Sequence, residues 1–159
     1  MNTLILYATK HGGTRTVAER IATHLNGAKL HDLKQNDIPS LSECDCVIIG
    51  SPVYAGTIRK EAKVFLSQNA NELQSKKLGL FLCGMSKSDA EKCFAYNFPP
   101  EILQSTTAAS FLCGIFDPQK ANAIERLIMK AVTKQAEYIS TVDDEKIAQF
   151  AERLSIVST

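Results

Sequence analysis

Five short apolar runs, each separated from the next by enough chain for a helix, constrain this sequence more than any other feature. Thr3 to Ala8 is apolar at consecutive positions and rich in β-formers, the pattern of a strand buried on both faces. Cys46 to Gly50, Leu78 to Cys83 and Ala108 to Ile115 repeat that pattern, and Lys29 to Leu33 is a weaker run suited to a sheet edge. The intervening segments have helical spacing. Thr14 to Leu25 puts Val17, Ala18, Ile21, Ala22 and Leu25 on one side, with Gly27 as a stop just beyond. Lys60 to Asn69 carries Ala62, Val64, Phe65 and Leu66, and Ser88 to Tyr96 suits a short helix before Pro99-Pro100 breaks the chain ahead of another short turn. Ala121 to Gln135 predicts a long amphipathic helix with Ile124, Leu127, Ile128, Ala131 and Val132 on one side. Asp143 to Leu154 predicts a last helix, and its opening acids Asp143-Asp144-Glu145 suit a helix's positive end.

Strands alternating with helices imply an α/β domain on a parallel sheet, and right-handed crossovers put helices on both faces. There is no internal repeat, low-complexity stretch or linker, so residues 1–159 are expected to form one domain. Eighteen basic residues against seventeen acidic leave a formal charge of +1, without the basic excess of a nucleic-acid binder. No apolar run approaches the ~20 residues of a membrane span. The start, Met1-Asn2-Thr3, has none of the marks of a signal peptide, so a cytoplasmic monomer or homodimer is expected. Cys44, Cys46, Cys83, Cys93 and Cys113 form no Cys-x-x-Cys element and are expected as free, mostly buried thiols.

The first strand-to-helix turn holds the chemistry. Thr9-Lys10-His11-Gly12-Gly13-Thr14 joins the two elements with two glycines and two threonines. Amides at a helix start lack intrahelical partners and the dipole makes that end positive, which suits a phosphate. Gly12 and Gly13 allow close backbone approach, and the Thr9 and Thr14 hydroxyls can donate to phosphate oxygens. The turn is neither G-x-G-x-x-G nor a Walker-A loop, since no lysine follows Gly13. The useful part of His11 is its backbone N–H or, alternatively, its ring as an acid–base group.

The stretch Ile5-Leu6-Tyr7-Ala8-Thr9-Lys10-His11-Gly12-Gly13-Thr14, continuing to Ala18 and Ile21, resembles the flavodoxin signature in the spacing of its apolar pair, aromatic, Thr, Gly, Thr, Ala and Ile. That resemblance implies a doubly wound five-stranded parallel sheet of order 2-1-3-4-5, with FMN at the switch point. It also implies two further cofactor loops. Ser51, Pro52, Val53, Tyr54, Ala55 and Gly56 follow the third strand; Tyr54 either stacks on the isoalloxazine or sits in a surface turn. The Ala55–Gly56 peptide is the candidate for the one that, in similar flavodoxins, turns over to bond the reduced flavin N5. Cys83, Gly84, Met85 and Ser86 follow the fourth strand and imply backbone contacts to the pyrimidine edge. Tyr96 is a second aromatic for either stacking or packing. Arg59 and Lys60 are solvated charges, or they neutralise the reduced flavin or meet an acidic partner.

The C-terminal half is similar to the flavodoxin-domain, quinone-dependent protoporphyrinogen dehydrogenases in Gly114-Ile115-Phe116, Leu127-Ile128-Met129-Lys130 and Ile147-Ala148-Gln149-Phe150-Ala151. It departs from them at Asp117-Pro118-Gln119-Lys120-Ala121-Asn122, short and nearly neutral where those enzymes carry a longer basic, tyrosine-rich segment. Porphyrin propionates would want cations there. Three functions follow: an FMN-dependent electron carrier or small flavin oxidoreductase, working with a redox partner protein or quinone; a protoporphyrinogen IX dehydrogenase; or a non-redox regulatory module on the same fold. No residues outside the loops form a nucleophile–base or acid–base set, so no catalytic side chain and no metal are expected.

Overall fold

Parallel strands need crossovers, and this chain supplies a helix at each one except between Lys29–Asp32 and Cys46–Tyr54, where residues 33–45 form turns and loop only. The computed structural model describes residues 1–84, 90–113, 115–116, 123–124, 127, 139–140 and 142–156. In chain order the elements are β1 (Thr3–Tyr7), α1 (Gly13–His24), β2 (Lys29–Asp32), β3 (Cys46–Tyr54), β4 (Thr57–Ile58), α2 (Lys60–Gln74), β5 (Lys77–Cys83), α3 (Ala90–Asn97), α4 (Pro100–Ser105), β6 (Thr106–Cys113), β7 (Ile115–Phe116), β8 (Ile139–Ser140) and α5 (Asp144–Ser155). The main sheet runs β2-β1-β3-β5-β6, all parallel, with β4 folded back antiparallel on β3. Counting only the five parallel strands, the order is the expected 2-1-3-4-5. A separate antiparallel pair joins β7 to β8.

Alternation along the strands divides the interior in two. Leu4, Leu6, Val47, Ile49, Leu78, Leu80 and Leu82 face α2, α3 and α4, meeting Phe65, Leu66, Leu73, Phe94, Phe98 and Ile102. Ile5, Tyr7, Cys46, Ile48, Phe81 and Leu112 face α1 and α5, meeting Val17, Ile21, Ile147, Phe150 and Leu154. Each fully buried aliphatic side chain stabilises the fold by roughly 1.5–3 kcal/mol, so both faces must be covered. The Phe81 ring meets Phe150 edge-on, with centroids 6.3 Å apart. Asp143 caps α5 by accepting the Lys146 N–H at 3.1 Å, so the acids predicted to open that helix begin one residue outside it. Pro100 takes the first helical position of α4, where its missing N–H costs nothing.

Two differences from the sequence reading shape the site. The strand expected to stop at Gly50 runs on to Tyr54 through Pro52. Gly50 gives its carbonyl to the Ala8 N–H, so Pro52, two residues on, faces the same side. There β1 has already ended at Tyr7 opposite Gly50, and a residue without an N–H leaves no ladder bond unmade. The chain then reverses tightly: Tyr54 pairs with Thr57 across Ala55 and Gly56, both left-handed at φ 49 and 76. The predicted helix from Ala121 to Gln135 falls largely outside the described residues; of its apolar side, Ile124 and Leu127 are helical and exposed, not buried against the sheet. Among the described residues no helix is long and apolar enough to cross a membrane.

Candidate functional site

The sheet order reverses between β1 and β3, and the loops leaving β1, β3 and β5 therefore stand side by side at one rim. Register fixes this: Tyr7 lies opposite Gly50, and Pro52 opposite Cys83. Open parallel sheets bind ligands at such a reversal, outside the carboxyl ends of the strands.

Residues 9–14 form the first wall. Gly12 sits at φ 89 in the position that caps α1, a conformation open to glycine at little cost. Its own N–H is taken by the Thr9 Oγ1, which accepts it at 2.9 Å; the Thr9 hydroxyl thus shapes the loop and keeps its proton to donate. The first intrahelical bond runs from Thr16 N–H to Gly12 O at 3.0 Å. The amides of Gly13, Thr14 and Arg15 therefore precede the first closed turn, with no side-chain cap and no acidic residue in that turn. Thr14 is 2% exposed, and its Oγ1 is buried with no hydrogen-bond partner. An unmade bond of that kind costs about 1–3 kcal/mol. Unpaired leading amides at the positive end of a helix suit an anion.

Residues 51–56 form the second wall. Ser51 is buried, and its hydroxyl accepts the Arg59 N–H at 3.0 Å and donates to the Pro52 carbonyl at 2.9 Å. Its side chain thus serves the scaffold, holding the entry to α2. Val53 packs against the core. Tyr54 is 39% exposed, and the Lys10 Nζ stands 5.6 Å from its ring centroid, so the first two loops touch. Burial pushes the Tyr54 phenol above its ordinary pKa, against the pull of Arg59; the ring is neutral at physiological pH. Arg59 itself is committed to Glu61, donating at 3.1 and 3.3 Å, so its charge is already paired.

Of the third loop, Cys83 is buried and Gly84 lies against Phe111 and Val53, the gap leaving a Cβ 3.4 Å from the Phe111 ring. Met85 and Ser86 lie outside the described residues. Tyr96 is 76% exposed on α3. Cys44, Cys46, Cys83 and Cys93 are in no disulfide, and burial pushes the Cys46 thiol up to about 11, which leaves it inert at neutral pH. No group of metal-ligating side chains occurs among the described residues.

One site residue escaped the sequence reading. Asn97, at the end of α3, accepts the Ile58 N–H and donates to the Gly56 carbonyl. An asparagine at a helix end reads as a routine cap, and its target lies about forty residues earlier, so no local pattern marks it.

A parallel sheet whose order reverses beside an uncapped helix start defines the class: a doubly wound α/β domain. The flavodoxin-domain family model matches residues 4–143, and the chain belongs to that family. A flavodoxin from the domain Archaea is similar at 13% identity, covering 98% of this chain and 100% of the other, with a TM-score of 0.58. Oxidised Flavodoxin 2 from Bacillus cereus is similar at 19% identity over 98% of each chain, with a TM-score of 0.57. A flavoprotein from Lactobacillus acidophilus, solved in complex with FMN, covers 69% of this chain and 92% of its own at 18% identity and a TM-score of 0.57. These likenesses establish the flavodoxin-like fold. No curated protein matches the chain.

Proposed function

We propose that this chain is an FMN-binding redox protein, an electron carrier or small flavin oxidoreductase, acting as one domain in the cytoplasm with a redox partner protein or quinone. The buried, unbonded Thr14 hydroxyl at the uncapped start of α1 carries the reading. A phosphate dianion supplies what that place lacks: acceptor oxygens for the hydroxyl and the leading amides, and negative charge on the helix axis.

In this reading residues 9–14 hold the phosphate, with the Thr9 and Thr14 hydroxyls and the Gly13 and Thr14 amides as donors and Lys10 as a nearby cation. Residues 51–56 flank the flat ring, Tyr54 by stacking and the Ala55–Gly56 peptide by turning a backbone group toward N5. Residues 83–86 supply backbone contacts to the pyrimidine edge. Bound FMN supplies the electron chemistry; the protein supplies binding, orientation and field. The FMN-bound relative of similar fold supports the choice of flavin.

Calorimetric titration with FMN, followed by absorbance during anaerobic photoreduction, tests the reading. Stoichiometric binding, a yellow protein and reversible bleaching are expected. Colourless protein that takes up no FMN refutes it and favours the non-redox module.

The narrower reading, a quinone-dependent protoporphyrinogen dehydrogenase, has its basis in the likeness at 114–116, 127–130 and 147–151. Within the last, Ile147, Phe150 and Ala151 are buried core of α5, so that part of the likeness serves packing. Oxidation of protoporphyrinogen by the FMN-loaded protein with a quinone acceptor decides it.

A further inference from the structure

The β3–β4 reversal cannot hold itself. Its returning strand, Thr57–Ile58, has two residues, and so short a ribbon has no stability of its own. Its tip is also unfavourable, since Ala55 is the one non-glycine at positive φ among the described residues, a conformation that crowds the Cβ. Something outside the hairpin must hold it.

Asn97 does so from α3. Its Oδ1 accepts the Ile58 N–H at 2.9 Å, and its Nδ2 donates to the carbonyls of Gly56 and Cys93, both at 2.8 Å. These bonds settle which way the amide faces: turned over, its oxygen would meet two carbonyl oxygens. They also bracket Thr57, the residue that pairs with Tyr54. Tyr54 in turn meets Lys10 of the first loop. The clamp thus acts on the turn that carries Tyr54, through Gly56 and Ile58, and not on the amides at the start of α1.

We infer that Asn97 is a positioning residue of the cofactor site, holding the Tyr54–Thr57 turn in the shape that receives the flat ring. The inference rests on the FMN reading of the three loops. It assigns Asn97 to the ring end of the ligand, not the phosphate end, and its effect must therefore pass through Tyr54.

Riboflavin, which has no phosphate, and FMN are titrated by flavin fluorescence into the wild type, Asn97→Ala, Tyr54→Ala and the double variant. Asn97→Ala is expected to weaken both ligands by the same factor, about tenfold for the loss of this clamp. Its effect should be smaller in the Tyr54→Ala background, the non-additivity of two residues acting through one element. Asn97→Asp gives a second readout. Its carboxylate meets the Gly56 and Cys93 carbonyls with no proton to donate, so riboflavin binds weakly at pH 7.5. Affinity recovers toward pH 5, where the protonated acid can donate again. Unchanged riboflavin affinity in Asn97→Ala, or effects of Asn97→Ala and Tyr54→Ala that simply add, would overturn the inference while leaving FMN binding standing. Should Asn97→Ala fail to fold, a flat pH profile for Asn97→Asp overturns it. A wild type that binds neither ligand removes the FMN reading itself, and the inference with it.

Discussion

Under the proposed function, Thr14 is a residue that costs stability and serves binding. Its hydroxyl is buried and unbonded, a cost the ligand-free protein carries. Replacing it with valine keeps the shape and removes the orphan. Thr14→Val is therefore expected to leave the melting temperature of ligand-free protein unchanged or raised, while weakening FMN about 10–100-fold, the usual worth of a hydrogen bond to a charged acceptor. Thermal unfolding and calorimetry on the same sample check both halves; an equal fall in stability and affinity would mean that the hydroxyl serves the fold. This residue was legible in the sequence because everything that defines its place is local: a strand end, two glycines and a helix start within ten residues. Asn97 was not, because its meaning depends on Gly56 and Ile58 arriving beside it in three dimensions.

Among the elements, β3 and α2 hold the most sharply placed consequences. Gly50 lies in the interior of β3, and a Cβ there would fall 2.0 Å from the Phe81 ring. The ring is fully buried against Phe150 and has little room to retreat. Gly50→Ala should cost about 1–3 kcal/mol through overpacking, seen as a lower denaturation midpoint, and Phe81→Leu in the same chain should restore part of it. The sequence suggested that Gly50 ended its strand, as glycine often does. The strand continues because β5 still pairs with it, Ser51 against Leu82 and Pro52 against Cys83, a fact of register that no single segment contains. At the start of α2, the Arg59 guanidinium holds the Glu61 carboxyl below its usual range. Its depressed folded value means that the unfolded chain binds the proton more readily. The stabilisation is complete above the ordinary glutamate pKa and disappears as pH falls through the lower folded one. Glu61→Gln should flatten that part of the acid side of a stability–pH curve and leave its neutral region nearly level.

For the whole molecule, the alternation of runs and helical segments was enough to state an α/β domain with helices on both faces of a parallel sheet; the strand order came from the resemblance to the flavodoxin signature, not from the pattern. What the pattern could not give were the β4 hairpin and the exposure of Ile124 and Leu127, since both depend on which surface the rest of the chain leaves open. Near-neutral charge has its own consequence at this scale. With a formal net charge of +1, the protein exerts little long-range pull on a charged partner. Its association rate with a flavodoxin-type reductase, followed by stopped flow, should change less than about threefold between low and physiological salt, where screening by added ions is strong. A steep salt dependence would point to a local charged patch that the overall balance conceals.

Because the three loops leave the sheet at one rim, the strands' starting ends lie at the other. There Asn2, Asp45 and Lys77 knit β1, β3 and β5 together, the Asn2 N–H reaching the Asp45 carboxylate at 2.7 Å and the Lys77 N–H reaching the Asp45 carbonyl at 3.1 Å. The five residues of β1 separate the two rims by roughly 16 Å. A dye, spin label or electrode tether fixed near Asp45 would thus report from a constant remove and leave the opposite mouth clear.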